Sequence, residues 1–455
     1  MEISHEPQRL HAQRRALTSA ALSVSYATSA PLVIIRGTGC YLIDHAGQAY
    51  LDTRNNVPHL GHCHPAVVRA VQQQVATLNT NSRYLHPTYN DLCQRLLTTL
   101  PPALRDQYVV FLVNSGSEAN DLALRLARAH TGAQHVAVLD HAYHGNTTAT
   151  LELSPYKFLH PRYSALGQPS PPTHTHVLPV PSAARPGDPT RADPLRPLRH
   201  LCDQYDRQLA ALFVESGMSV ASVILPPPHY FQAAFAAVRA AGGLCVCDEV
   251  QTGLGRTGAW YAFEWADVTP DIITLGKPMG NGMPLAAVLC HRDIGATLAR
   301  GPEYFNTFGG NTVSCAAGLA VLETLEADNL LAHATRVGAH LMSCLCKLQA
   351  SLAQQHPELP CHIGDVRGRG LFVGVEFVTH IQHPTPATQA ASHLCTQLRL
   401  QHHILTSLDG PHDNVMVIKP PMCFGIREAN QLVRALRAEL LAMPVDLTGV
   451  APTPT

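Results

Sequence analysis

Six short apolar runs recur through the middle of the chain and limit its fold more than any other feature: Tyr108–Val113, Val136–Leu139, Ala211–Val214, Leu244–Cys247, Ile272–Leu275 and Ala286–Leu289. They are rich in Val, Ile and Leu and only four to six residues long, as expected of strands buried on both faces. Stretches with helical spacing lie between several of them, notably Glu118–His130 and Tyr230–Ala241. This alternation predicts an α/β domain built on a largely parallel sheet.

The flanking segments read differently. Gly167 to Pro197 is dense in Pro, Ser, Thr and Arg and has no period, which predicts a long surface loop. After Thr324 come a long helical stretch, short runs at Leu371–Phe377 and Val415–Ile418, and a final helix near Glu428–Leu441. These predict a smaller α+β domain, completed by the N-terminal residues. The expected division is 1–64 for an N-terminal arm and part of the small domain, 65–325 for the large domain, and 326–455 for the C-terminal small domain.

Composition excludes several functions. With 46% hydrophobic and 14% charged residues, the 455-residue chain can bury a substantial core. A net charge of −1 and the lack of a basic tract argue against nucleic-acid binding. No apolar stretch is long enough to span a bilayer, so no membrane partner is expected. The 13 cysteines, odd in number and irregular in spacing, read as reduced intracellular thiols and point to the cytoplasm. The acid-free segment Gln8–Arg36 resembles a mitochondrial transit peptide, but Glu2 and Glu6 favour an arm that packs on the body.

In an open α/β sheet, ligands bind beyond the carboxyl ends of the strands, so the residues that follow each run carry the functional signal. They are Asn114-Ser115-Gly116-Ser117-Glu118-Ala119-Asn120, then His141–Gly145, then Glu215-Ser216, then Asp248–Gln251, then Gly276-Lys277-Pro278. Together they place a phosphate cradle, an aromatic ring, two acids and a lysine at one sheet edge. Ser115-Gly116-Ser117 stands between strand and helix, where backbone N–H groups and the helix dipole favour an anion; an ordinary N-cap turn is the alternative. Tyr143 could stack on a flat ring or serve as a rim tyrosine. Asp248 ends an apolar strand and needs a partner, either a protonated pyridine nitrogen or a base such as Arg256. Lys277 is an amine nucleophile if buried and a solvated loop lysine otherwise.

Two other motifs carry less weight. Gly253-Leu254-Gly255-Arg256-Thr257-Gly258 matches the dinucleotide fingerprint, but no amphipathic helix pattern follows it. His59, His62, Cys63 and His64 read as a turn leading into a helix at Ala66–Leu78 rather than as a metal site, since no second ligand pair has the right spacing.

With these residues in place, the chain resembles the class III (ornithine/GABA-type) aminotransferases along nearly its whole length. The resemblance rests on Asn114–Asn120, Tyr143-His144-Gly145, Asp248-Glu249-Val250-Gln251, Gly255–Gly258, Lys277 and Thr307–Asn311. It implies a pyridoxal-5′-phosphate (PLP) enzyme of fold type I that works as a homodimer on a small amine, with no metal. Lys277 would be the Schiff-base lysine and Asp248 the partner of the pyridine nitrogen. Ser115, Gly116 and Ser117 would hold the phosphate, Tyr143 would stack on the ring, and Gln251 would lie near its phenolic oxygen. Thr307 would reach the phosphate of the partner subunit's cofactor, and Glu215 would lie on the substrate side.

Within the class, the chain is similar to the ammoniophospholyases of ethanolamine phosphate and 5-phosphohydroxylysine, through Leu78–His86, Ser154–Phe158, Gly276–Gly282 and Ile418–Phe424. Lys419 stands where other members often carry an arginine suited to a substrate carboxylate. Arg83 and Lys419 are the expected substrate-phosphate ligands. Met283 replaces a histidine of the subgroup, and Val214–Met218 also departs from its pattern. The alternatives are an ω-aminotransferase moving an amino group to a keto acid, and a nicotinamide-dependent oxidoreductase.

Overall fold

The computed structural model describes residues 6–26, 31–160, 163–166, 171–181, 193–444 and 447. Its central sheet has seven strands: β4 (Tyr108–Val113), β5 (His135–Leu139), β6 (Thr175–Leu178), β7 (Leu209–Glu215), β8 (Leu244–Asp248), β9 (Ile272–Leu275) and β10 (Ala286–His291). Their order is β4-β10-β9-β8-β7-β5-β6. β10 pairs antiparallel with both neighbours, and the pairs from β9 to β6 are parallel. Six strands therefore end at one edge.

Alternation along these strands explains their uninterrupted apolar runs. Leu139, Leu212, Val214, Cys247, Ile273 and Leu275 join one apolar cluster, and Val138, Ala211, Phe213, Val246 and Ile272 join the other. Both faces are covered, so no position on these strands needs a polar side chain. The helix Gly116–Thr131 covers the second face with Ala119, Leu122, Ala123, Leu126 and Ala127. Ser115 caps it by accepting from the Glu118 N–H, and Gly132 ends it at φ 71°.

Two smaller sheets flank this unit. One joins β1 (Ile34–Thr38), β2 (Tyr41–Asp44) and β3 (Ala49–Asp52) to β13 (Ile404–Leu405), so N- and C-terminal segments share a sheet. The other runs in the order β11 (His362–Arg369), β12 (Phe372–Val378), β15 (Val415–Ile418) and β14 (Leu408–Asp409).

Two expectations need correction. The stretch expected to be a loop contains β6, which extends the central sheet beside β5. Thr-His-Val-Leu is too short and too mixed to stand out among prolines, and its place is decided by the edge of β5. Residues 167–170 and 182–192 of that stretch lie outside the described residues. The N-terminal arm also differs: the helix Pro7–Leu17 buries none of its residues against the chain. Further along, Val24 and Ser25 line a cavity with the body, and Tyr26 donates to the Thr406 carbonyl at 3.2 Å and lies under the Arg399 guanidinium.

Candidate active site

Five strand ends converge on a cavity of about 260 Å³. Ser115, Gly116 and Ser117 line it from the end of β4, Tyr143 from beyond β5, Glu215 from β7, Asp248 and Gln251 from β8, and Lys277 from β9. The convergence follows from the parallel register, in which Glu215 pairs with Asp248 and Asp248 with Thr274.

Asp248 is buried, but not beside Arg256 as one alternative had it. Its Oδ2 accepts from Asn120 Nδ2 at 2.7 Å and from His144 Nδ1 at 2.8 Å, and its Oδ1 accepts from the Val250 N–H at 3.0 Å. Asn120 is itself fixed, because its Oδ1 accepts from Thr274 at 2.7 Å. Among the described residues, the buried Nε2 of His144 has no partner. Arg256 is instead buried elsewhere, donating to the carbonyls of Leu371 and Pro420 and to His59 Nδ1. No helix begins at Gly253–Gly258.

Glu215 accepts from the N–H groups of Tyr143 and Ser219, at 3.0 and 3.1 Å. Burial raises its pKa, while His144 opposes the rise and Asp248 adds to it. Burial lowers the pKa of Lys277, against the pull of Asp248 and Glu215. Both shifts favour the neutral forms of the two groups.

A glycine at 116 is required by contact. A Cβ there would lie 2.8 Å from both Val250 methyl groups, and one on Gly276 would lie 3.1 Å from Gly116 Cα. The helix N-terminus thus presses against the loop that bears Gln251 and the residue before Lys277. Ser117 Oγ accepts from the Asn146 N–H at 3.0 Å, which ties this turn to the Tyr143 loop.

A second cavity, of about 550 Å³, shares Gln251 and Lys277 as wall residues. Arg54, Asn56, Asp409 and Lys419 also line it. Asn56 Nδ2 donates to Gln251 Oε1 at 2.6 Å, which leaves the Gln251 amide hydrogens free to donate. Lys419 donates to Ser219 Oγ at 2.8 Å, and burial lowers its pKa to about 8. Thr307 and Arg83 line neither cavity. Thr307 is exposed, and Arg83 pairs with Glu303 at 3.2 Å while lying over the Phe305 ring.

Sequence reasoning missed Arg54, Asn56 and Asp409. The first two could have been found by the rule used for the other strands, since they directly follow β3. No local signal marks Asp409.

The family Aminotransferase class-III matches residues 23–440. The chain belongs to the class III aminotransferases. It is 44% identical to a Drosophila melanogaster protein named alanine--glyoxylate aminotransferase 2-like, over 91% of this chain and 83% of that one. It is 39% identical to the ethanolamine-phosphate phospho-lyase homolog 1 of Caenorhabditis elegans, over 91% and 89%. Among solved structures, a phospholyase from Arthrobacter in complex with phosphoethanolamine superposes with a TM-score of 0.86 at 35% identity, covering 96% of this chain and 100% of that one.

The cofactor of this class is PLP, and the smaller cavity fits it. The cavity offers the N-terminus of a 16-residue helix for a phosphate, a buried carboxylate for a ring nitrogen, an aromatic side chain and a lysine. The close approach that only a glycine permits at 116 keeps backbone N–H groups open to the phosphate.

Proposed function

We propose that this enzyme is a PLP-dependent ammoniophospholyase that acts on an amine with a phosphate on the neighbouring carbon, such as ethanolamine phosphate or 5-phosphohydroxylysine. The observation that carries this reading is Lys419, a buried cation on the wall of the larger cavity, where other class members often carry a carboxylate-binding arginine. The likeness to proteins named as phospho-lyases supports it.

In this reading Ser115, Gly116 and Ser117 would hold the cofactor phosphate, Asp248 would pair with the ring nitrogen, Tyr143 would stack on the ring and Gln251 would lie near its phenolic oxygen. Bound PLP supplies an electron sink for the negative charge that builds on the amine-bearing carbon. Lys277 would hold the cofactor through its amine and would be the base that takes the proton from that carbon. Burial, which lowers its pKa, favours the neutral amine that this role needs. The neighbouring C–O bond then breaks, and phosphate leaves with the bonding electrons. The released enamine hydrolyses to an aldehyde and ammonia. Glu215 lies on the substrate side.

The active unit is a homodimer in this reading, with Thr307 directed to the partner subunit's cofactor, and Arg83 and Lys419 the ligands of the substrate phosphate. The large unit spans 65–325, and 1–64 with 326–455 form the smaller one. The compartment is the cytoplasm, with mitochondrial import the alternative.

The name of the Drosophila relative favours a second reading, an ω-aminotransferase. The test is to give PLP-loaded enzyme ethanolamine phosphate or 5-phosphohydroxylysine without a keto acid. Equal release of phosphate and ammonia is expected. Amino transfer that appears only when a keto acid is added would return the enzyme to the aminotransferases.

A further inference from the structure

We propose that Arg54 joins Lys419 to form the subsite that takes the substrate's phosphate. The proposal rests on the phospho-lyase reading and names the residues that select its substrate.

The backbone sets the two cations side by side. The Lys419 N–H donates to the Thr53 carbonyl at 2.8 Å, so the residue before Arg54 is hydrogen-bonded to Lys419. Thr53 is itself tied to Leu405, its N–H and its Oγ1 both donating to that carbonyl at 3.1 and 2.8 Å. Asp52 then shapes the turn. Its Oδ1 accepts from the N–H groups of Arg54 and Asn55 at 3.2 and 3.0 Å, and its Oδ2 pairs with His62 at 2.8 Å. Arg54 therefore leaves a turn held on several sides, and its side chain lines the larger cavity with Lys419 and Lys277.

The charge balance of this wall calls for an anion. Among the described residues, Arg54 forms no ion pair, and its guanidinium lies beside the phenol of Tyr26. Lys419 is hydrogen-bonded to the neutral Ser219 hydroxyl. Three carboxylates stand near: Asp409, close to both cations, with its own pKa raised by burial to about 6; Glu215, close to Lys419; and Asp52, on the same wall but already bonded to the Arg54 and Asn55 N–H groups and His62. Lys419 is buried and Arg54 half-buried, and a doubly charged phosphate between them would pair with both. A planar guanidinium beside a point-charge ammonium suits a phosphate monoester that must be gripped and then released.

The test uses PLP-loaded enzyme, in which the cofactor's own phosphate fills the other anion site. Binding of inorganic phosphate is measured by calorimetry, and as competitive inhibition of phosphate release from ethanolamine phosphate. Arg54→Gln is expected to weaken phosphate binding and raise KM about ten- to a hundredfold, the loss of one charge-assisted contact. Arg54→Lys should restore part of both, which a merely structural role would not do. Unchanged phosphate affinity in a folded Arg54→Gln enzyme would overturn the subsite, whatever reaction is catalysed. Phosphate binding that depends on Arg54, in an enzyme that releases no phosphate from either substrate, would uphold the subsite and overturn the phospho-lyase reading.

Discussion

Lys419 shows how burial sets the working range of a single side chain. Desolvation lowers its pKa to about 8, while Asp409 pulls the other way and Lys277 adds to the lowering. The sign follows directly: Lys419 is a cation below about pH 8 and loses its charge above it. KM for a phosphorylated amine should therefore stay flat up to about pH 8 and rise up to tenfold per pH unit beyond it. In Lys419→Arg the guanidinium stays charged, and the rise should vanish from a KM–pH profile. An identical profile in both enzymes would remove Lys419 from the subsite. Asp248 makes a contrasting case at the same scale. Its three hydrogen bonds come from Asn120, His144 and Val250, so its orientation is set by groups on three different segments.

At the level of elements, the site depends on how closely the helix Gly116–Thr131 approaches the loops after β8 and β9. A methyl group at 116 would meet both Val250 methyls at 2.8 Å. Gly116→Ala must push the helix N-terminus away from the phosphate position or displace Val250. We expect about 1–3 kcal/mol of lost stability from the overpacking. We also expect PLP affinity to fall about tenfold, as one N–H contact to the phosphate weakens. Thermal unfolding of the cofactor-free protein and PLP titration by absorbance would measure the two separately. Unchanged values in both would mean that the turn has slack the packing does not show. β6 makes the converse point: four unremarkable residues become a strand because the edge of β5 offers them backbone partners.

Across the whole molecule, His59 and Arg256 tie distant segments together. His59 Nε2 donates to the Leu254 carbonyl at 2.7 Å, and its Nδ1 accepts from Arg256. Arg256 reaches on to the carbonyls of Leu371 and Pro420, next to Lys419. Burial, then the charge of Arg256, lower the His59 pKa to about 3. Its folded pKa lies below the unfolded value of about 6.5. The unfolded chain therefore gains a proton that the folded chain cannot, and stability falls as pH drops below 6.5. The loss should reach about 2 kcal/mol at pH 5. His59→Gln should be less stable than wild type at pH 7 but lose less on acidification. Denaturant unfolding of both at pH 7 and pH 5 would show this, and equal losses would refute it.

The chain's sequence by itself determined most of the strands of the central sheet and most of the residues that line the smaller cavity. Strands buried on both faces must be apolar throughout, and the residues that line the smaller cavity stand at the ends of these strands or within a few positions of them, so local order reveals both. Tertiary structure alone decided the reversal of β10, the membership of β6, the exposed course of Pro7–Leu17 and the partners of Asp248. It also decided the wall of the larger cavity, where Arg54, Asp409 and Lys419 are brought together from segments more than 350 residues apart. Their meeting depends on the β3–β13 pairing and on the Thr53–Lys419 hydrogen bond. Contacts between segments so far apart leave no periodicity or spacing in the sequence, because only packing brings the segments together.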